Sequence, residues 1–161
     1  MKKLMIASAT SPVELSKIIL GSTMFGTKIE EKTSFALMDK YAELGGDSID
    51  TAGVYGDWHD TGDPVSERTI GKWLKQSGCK NKMKIITKGA HFRLKSPQES
   101  RVSAACIQDD IQKSLKSLQV DVIDEIAEAP DGLDAVHAPH VDVTGVRRPP
   151  ESGRERGSTR S

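Results

Sequence analysis

Short apolar runs alternate with amphipathic segments along residues 1–124, and this alternation limits the possible folds more than any other feature of the sequence. The apolar runs are typical of buried strands, and the amphipathic segments carry apolar side chains at helical spacing. The predicted strands span 17–22, 47–51, 83–88 and a fourth that begins at 120–124, and the predicted helices span 29–46, 63–78 and 103–119. This order indicates βαβ units, a parallel sheet and therefore an α/β fold.

Two α/β architectures are compatible with this order, a doubly wound sheet and a (β/α)8 barrel. A doubly wound nucleotide-binding domain is expected to carry G-x-G-x-x-G after its first strand, and Gly21 and Gly26 do not form that motif. A complete barrel needs roughly 250 residues, about twice the patterned length of this chain. The missing motif weakens the doubly wound option, and the patterned length suits about half of a (β/α)8 TIM barrel.

Two local patterns predict how elements begin. The first residues, "MKKLMIASATSP", hold too short an apolar patch for a signal peptide and indicate a first strand, one arm of a hairpin. The helix over 63–78 is expected to begin with Asp63 as its cap and Pro64 in the first helical position.

Polar residues lie at the carboxyl ends of three of the predicted strands: Ser22 with Thr23, Asp50 with Tyr55, and Lys88. In a barrel, the carboxyl ends of the strands converge on one site. A tyrosine is a poor proton donor at neutral pH unless a nearby ammonium stabilises its phenolate. These residues therefore suggest a proton-transfer unit of tyrosine, lysine and anchoring aspartate. The alternative is that Asp50 caps a turn, Tyr55 packs on the rim and Lys88 is solvated.

Five segments in order resemble motifs of the aldo-keto reductase family, over about residues 12–124: "LGSTMFG", "IDTAGVYG", "SERTIGKWLK", "IITKGA" and "IQDDIQKSLKSLQVDVID". By this resemblance, Asp50, Tyr55 and Lys88 fall on the catalytic acid, tyrosine and lysine of the family. Glu67 and Gly71 fall on matching positions of the third motif.

The resemblance implies an oxidoreductase that reduces a carbonyl to an alcohol with NADPH, or alternatively NADH. Hydride would pass to the carbonyl carbon while Tyr55 protonates the oxygen of a small carbonyl or alcohol substrate. Cofactor contacts would fall on Gly21, Ser22, Thr23 and Asp50, although Ser22 and Thr23 depart from the usual Thr-Met order of the family.

The resemblance stops near residue 124. The family pattern D-L-Y-x-x-H would place an orienting histidine at position 129, which is Ala129. All 15 lysines and all seven aromatic residues precede residue 125. The resemblance therefore implies that residues 1–124 form the N-terminal half of an aldo-keto reductase-like (β/α)8 TIM barrel. We expect residues 125–161 to be a disordered tail unlike the family, whose composition suggests a shifted reading frame.

The sequence therefore leaves two hypotheses about the function. The first is a truncated aldo-keto reductase, inactive alone because the histidine and the second half-barrel are missing. The second is a non-enzymatic truncated gene product or a half-barrel interaction module. In either case, exposed sheet edges favour self-association.

Composition excludes several other classes. The 23 basic and 23 acidic residues balance, so we expect no nucleic-acid or membrane partner. Cys79 and Cys106 have no metal-ligand spacing and are expected to be reduced thiols in a cytoplasmic protein. His137 and His140 flank a proline, and we expect no metal site there.

Overall fold

The parallel strands lie side by side in chain order, and the helices connect them. The computed structural model describes residues 1–6, 12–58, 62–93 and 95–128. Its elements are β1 (Lys3–Ile6), β2 (Val13–Ser16), β3 (Leu20–Gly21), α1 (Glu31–Glu43), β4 (Ser48–Asp50), α2 (Val65–Ser77), β5 (Lys84–Gly89), α3 (Ala104–Leu118) and β6 (Glu125–Glu128). The predicted α/β alternation is confirmed.

The four parallel strands follow the order β3-β4-β5-β6, each paired with the next along the chain. Gly21 lies opposite Asp50, and Asp50 lies opposite Ile86. Sequential parallel pairing with intervening helices is the arrangement of successive βα units in a (β/α)8 barrel. The carboxyl ends of the strands therefore meet at one edge, where a barrel enzyme carries its site.

The fourth parallel strand is β6 at Glu125–Glu128, later than the predicted start at 120–124. In the predicted segment, Val120 and Ile123 are buried in the core, and the Asp124 carboxylate accepts a hydrogen bond from the Ile85 N–H at 2.9 Å. The apolar residues of 120–124 thus form a buried turn that leads into β6. The predicted start of the fourth strand was too early because a buried turn and a buried strand are both apolar. The first four residues of the predicted tail form β6, and residues 129–161, including Ala129, His137 and His140, lie outside the described residues.

The amino-terminal end of α2 differs from the predicted cap. The helix begins at Val65, Pro64 precedes it, and no side chain caps it. The Asp63 carboxylate pairs instead with the Arg68 guanidinium at 2.6 Å. The predicted end is confirmed, because Gly78 adopts a left-handed φ of 68°.

Helices α2 and α3 approach closely at Gly71. A Cβ at this position would lie 2.6 Å from the carbonyl oxygen of Ser117, so only glycine allows this distance between the helix backbones. Ile70 and Leu115 are fully buried beside it. This packing sets the first turn of α2, one turn before Gly71, against the outer face of β5.

The predicted hairpin is confirmed, since β1 and β2 pair antiparallel. It is anchored to the start of β4 by Asp47, whose Oδ1 accepts hydrogen bonds from the Ser16 N–H at 3.0 Å and the Ser16 hydroxyl at 2.6 Å. Burial raises the pKa of Asp47, but hydrogen bonds from Lys3, Ser16 and Ser48 outweigh it and hold the pKa at about 2.

Cys79 and Cys106 are both free thiols. Among the helices of the described residues, none has the length and apolar character that a membrane crossing requires.

Candidate active site

The ends of β4 and β5 bring Asp50 and Lys88 together. Lys88 lies two residues beyond Ile86, the partner of Asp50, and on the same face of the sheet. Its Nζ donates to Asp50 Oδ1 at 2.5 Å and to the Thr51 carbonyl oxygen at 3.1 Å. The Lys88 and Asp50 side chains are 23% and 31% exposed, so the ion pair borders solvent.

Tyr55 lies in the turn that follows β4, where its N–H donates to the Ala52 carbonyl at 3.0 Å. The ammonium of Lys88 is 4.9 Å from the centroid of the Tyr55 ring, within the range of a cation–π contact. All three residues predicted to be catalytic therefore meet at one place. Lys88 has defined acceptors, and the alternative of a solvated lysine does not describe it.

The residues predicted to contact a cofactor differ in accessibility. Gly21 is exposed at the end of β3, and a Cβ there would meet nothing within 4 Å. Thr23 is half-buried. Ser22 is fully buried, and its hydroxyl donates to the Asp50 carbonyl oxygen at 2.8 Å. The Ser22 side chain therefore holds the end of β4, which favours a structural use of this hydroxyl over a direct ligand contact.

The model of the aldo/keto reductase family matches residues 17–128, which include all of these site residues. The chain belongs to the aldo/keto reductase family. The uncharacterized oxidoreductase YrpG of Bacillus subtilis is 30% identical over 117 residues, covering 70% of this chain and 35% of the relative. An aryl-alcohol dehydrogenase [NADP(+)] of Phanerodontia chrysosporium is 31% identical over 127 residues, covering 72% of this chain and 29% of the relative.

Solved structures of the family share the fold. The holo form of an aldo-keto reductase from Bacillus halodurans superposes with a TM-score of 0.60 and 27% identity, over 79% of this chain and 40% of that chain. The chain thus spans about a third of the length of these two curated relatives, and its fold is the matching part of their TIM barrel.

Ser66, in the first turn of α2, contacts the candidate-site residues, and the sequence alone assigned it no role. Its hydroxyl lies 2.8 Å from both the hydroxyl and the carbonyl oxygen of Ser22, and 3.3 Å from the Thr51 hydroxyl. Its N–H donates to the Tyr55 carbonyl oxygen at 3.2 Å. The sequence feature that could have identified Ser66 is a small hydroxyl residue in the first turn of a helix soon after Tyr55.

Glu67 occupies the opposite side of β5 from Lys88. Its side chain is fully buried, Oε1 accepts a hydrogen bond from the Thr87 hydroxyl at 2.8 Å, and Oε2 has no hydrogen-bond partner among the described residues. Burial raises the pKa of Glu67 to about 7, although the nearby hydroxyls of Ser114 and Thr87 oppose the rise.

A cavity of about 490 Å³ opens at this end of the fold, between the first turn of α2, the middle of α3 and the loops after β4 and β5. Its lining includes Glu67, Lys88, His91 and Phe92, and the rings of the last two stack with centroids 4.5 Å apart. Asp57, Gly62 and Pro64, which lie between β4 and α2, contribute to the same lining.

Proposed function

We propose that this chain carries the proton-donor part of an NAD(P)H-dependent carbonyl reductase. The observation that supports this function is the Lys88 ammonium, which bonds Asp50 and stands 4.9 Å from the Tyr55 ring. Tyr55 gives its phenolic proton to the carbonyl oxygen of the substrate. The adjacent ammonium stabilises the phenolate that forms, and Asp50 holds the ammonium in place.

The accessible residues at the end of β3 fit a nicotinamide cofactor, NADPH or alternatively NADH. Gly21 leaves open space where any other residue would place a side chain, and Thr23 and the carboxylate of Asp50 lie beside it. We assign these three residues to cofactor contact and Ser22 to the support of Asp50. When bound, the nicotinamide supplies the hydride that reaches the carbonyl carbon.

The substrate we propose is a small carbonyl compound or the corresponding alcohol. The cavity beside Lys88 is large enough for such a molecule, and the stacked His91 and Phe92 rings give it an apolar wall. The free thiols at Cys79 and Cys106 support a cytoplasmic location.

The first test is a titration of the full chain with NADPH and with NADH, followed by nucleotide fluorescence. We expect saturable binding that Asp50→Asn weakens by roughly fivefold, the loss of one hydrogen bond of ordinary strength. Lys84→Met, on the same face of β5 four residues before Lys88, is the matched control and is expected to bind normally. A folded chain that binds neither nucleotide would overturn the proposal.

A second measurement addresses turnover with a panel of aldehydes. We expect none from the chain alone, because position 129 is Ala129 and offers no imidazole to orient a carbonyl. If turnover is detected, Tyr55→Phe is expected to lower it by about 10²–10⁴, the contribution of a positioned general acid. Turnover that survives Tyr55→Phe would remove Tyr55 as proton donor. A defined dimer that binds no nucleotide would support the alternative of an interaction module.

A further inference from the structure

We propose that Ser66 is a positioning residue for the Lys88 ammonium, acting through a chain of three buried hydroxyl groups. The inference rests on the proposed function only in the purpose it gives to Lys88. This series of hydroxyl groups fixes the backbone at Asp50 and Thr51, and these two residues supply both acceptors of the Lys88 ammonium.

The three hydroxyls of Ser22, Thr51 and Ser66 are fully buried and hydrogen-bonded in series. Ser22 donates to the Asp50 carbonyl oxygen, so its own oxygen can accept from Ser66 at 2.8 Å. The Ser66 hydroxyl has two acceptors at 2.8 Å, the hydroxyl and the carbonyl oxygen of Ser22, and lies 3.3 Å from the Thr51 hydroxyl, which can donate to it. In either arrangement, Ser66 connects Thr51 to the residue that holds the Asp50 carbonyl oxygen.

This series controls the segment that holds the ammonium. The Asp50 carbonyl oxygen accepts from both the N–H of Ser22 at 3.0 Å and its hydroxyl at 2.8 Å. The Thr51 N–H donates to Ile86 at 2.9 Å, and the Thr51 carbonyl faces Lys88. The peptide groups on both sides of Thr51 are therefore fixed, and with them the backbone from which the Asp50 side chain extends to the ammonium.

Ser66 also connects this segment to Tyr55. Its backbone N–H donates to the Tyr55 carbonyl oxygen, which satisfies one of the free N–H groups at the start of α2. One residue thus contacts the end of β3 through Ser22, the end of β4 through Thr51, and the turn that carries the tyrosine. Ser66 is the common support of all three proposed catalytic residues.

Ser34 provides a matched comparison. It is equally buried and lies in the first turn of α1, and its hydroxyl contacts the carbonyl oxygens of Ile29 and Glu30 at 3.1 and 3.0 Å. These partners belong to the residues just before its own helix. Removal of the Ser34 hydroxyl therefore tests the general cost of losing a buried serine, without a change at Asp50 or Lys88.

The experiment measures the rate at which a water-soluble acetylating reagent modifies each lysine of the full chain, followed by mass spectrometry. An ammonium held by two acceptors reacts slowly. We expect Ser66→Ala to speed the modification of Lys88 by roughly fivefold, the loss of one ordinary hydrogen bond. Lys84, on the same strand and face, should keep its rate. Ser34→Ala should change neither lysine, and Ser66→Thr, which keeps the hydroxyl, should restore the slow rate at Lys88.

A second variant, Ser22→Ala, breaks the same series one step closer to Asp50. If the series acts as one unit, Ser22→Ala and the double variant with Ser66→Ala should each match Ser66→Ala. Equal modification rates of Lys88 in Ser66→Ala and Ser34→Ala would overturn the proposal. So would an equal increase in the modification rate of Lys84 in Ser66→Ala, because that result would indicate a general loosening of the fold. The labelling needs no nucleotide, so a chain that fails to bind NADPH refutes the proposed function and leaves this measurement intact.

Discussion

Two carboxyl groups lie on opposite sides of the same strand and have different partners. On one face of β5, Lys88 meets Asp50, a partly exposed acid paired with an ammonium. On the other face, Thr87 meets Glu67, a fully buried acid bonded to hydroxyl groups. Adjacent residues of one strand thus contact an ion-paired acid at the candidate site and, among the helices, a buried acid whose pKa is raised to about 7.

The contrast shows that two carboxyl groups acquire different properties from their different surroundings. A carboxylate buried without a cation is costly, so Glu67 is driven toward its neutral form. The Asp50–Lys88 ion pair borders water, where such pairs change stability little. The helix side should therefore govern stability and its pH dependence, while the Asp50–Lys88 side should govern function with little effect on stability.

The largest expected effect on stability is that of Glu67→Gln. This substitution should remove the pH-dependent free-energy cost of burying the Glu67 carboxylate. The ordinary pKa of 4.5 applies to the unfolded chain, and burial raises it to about 7 in the fold. Between these values the native state binds more protons than the unfolded state, so stability falls as pH rises from about 4.5 to above 7. The shift corresponds to about 3 kcal/mol. Glu67→Gln should remove this fall, as measured by denaturant unfolding at several pH values.

Glu31→Gln serves as the control for this prediction, because Glu31 is an exposed acid on α1 that pairs with Lys72 at the surface. Its unfolding profile should parallel that of the unmodified chain. If Glu67→Gln also runs parallel, and is no more stable than the unmodified chain at pH 8, then the buried acid carries no penalty and the contrast between the two faces fails.

A smaller effect is expected from Gly71→Ala, which tests the packing that buries Glu67. The new Cβ would lie 2.6–2.8 Å from backbone atoms of Ser117 and Leu118, so α2 and α3 must separate. Overpacking costs about 1–3 kcal/mol and the gain in helix propensity returns up to about 1, which leaves a loss of about 2 kcal/mol. Gly21→Ala, with nothing within 4 Å, should lose far less. Equal losses in denaturant unfolding would contradict the close approach.

The sequence allowed the meeting of Asp50, Tyr55 and Lys88 to be predicted, because parallel strands place their carboxyl ends at one edge and the three residues lie at or just beyond such ends. The use of Ser22 could not be predicted. Its burial depends on Ser66, which lies 44 positions further along the chain and touches it only after α2 has packed. The start of β6 was misplaced for a related reason, since a buried turn and a buried strand have the same apolar pattern.

Thr87→Val should have a moderate effect on the helix side. The substitution keeps the shape of a β-branched residue and removes the hydroxyl that donates to Glu67 Oε1. That bond lowers the pKa of Glu67, so its loss should move the fall in stability to higher pH and cost about 1 kcal/mol. Thr69→Val is the control, because the Thr69 hydroxyl donates to the Val65 carbonyl within α2. An unchanged pH profile in Thr87→Val would show that the hydroxyl does not tune the acid.

The smallest expected effect on stability belongs to Lys88→Met, on the opposite face. The ion pair with Asp50 borders water, where such pairs contribute roughly 0–1 kcal/mol, and the methionine stem retains most of the packing of the lysine. The free energy of unfolding should therefore change by less than about 1 kcal/mol, and by no more than it does in Lys84→Met. A loss near 3 kcal/mol, as large as the penalty attached to Glu67, would mean that the lysine holds β4 and β5 together. Both faces of β5 would then contribute to stability, which would contradict the contrast drawn between them. In that case, a Lys88→Met chain that fails to bind nucleotide would do so because it is unfolded, and the failure would not show that the ammonium is needed for binding.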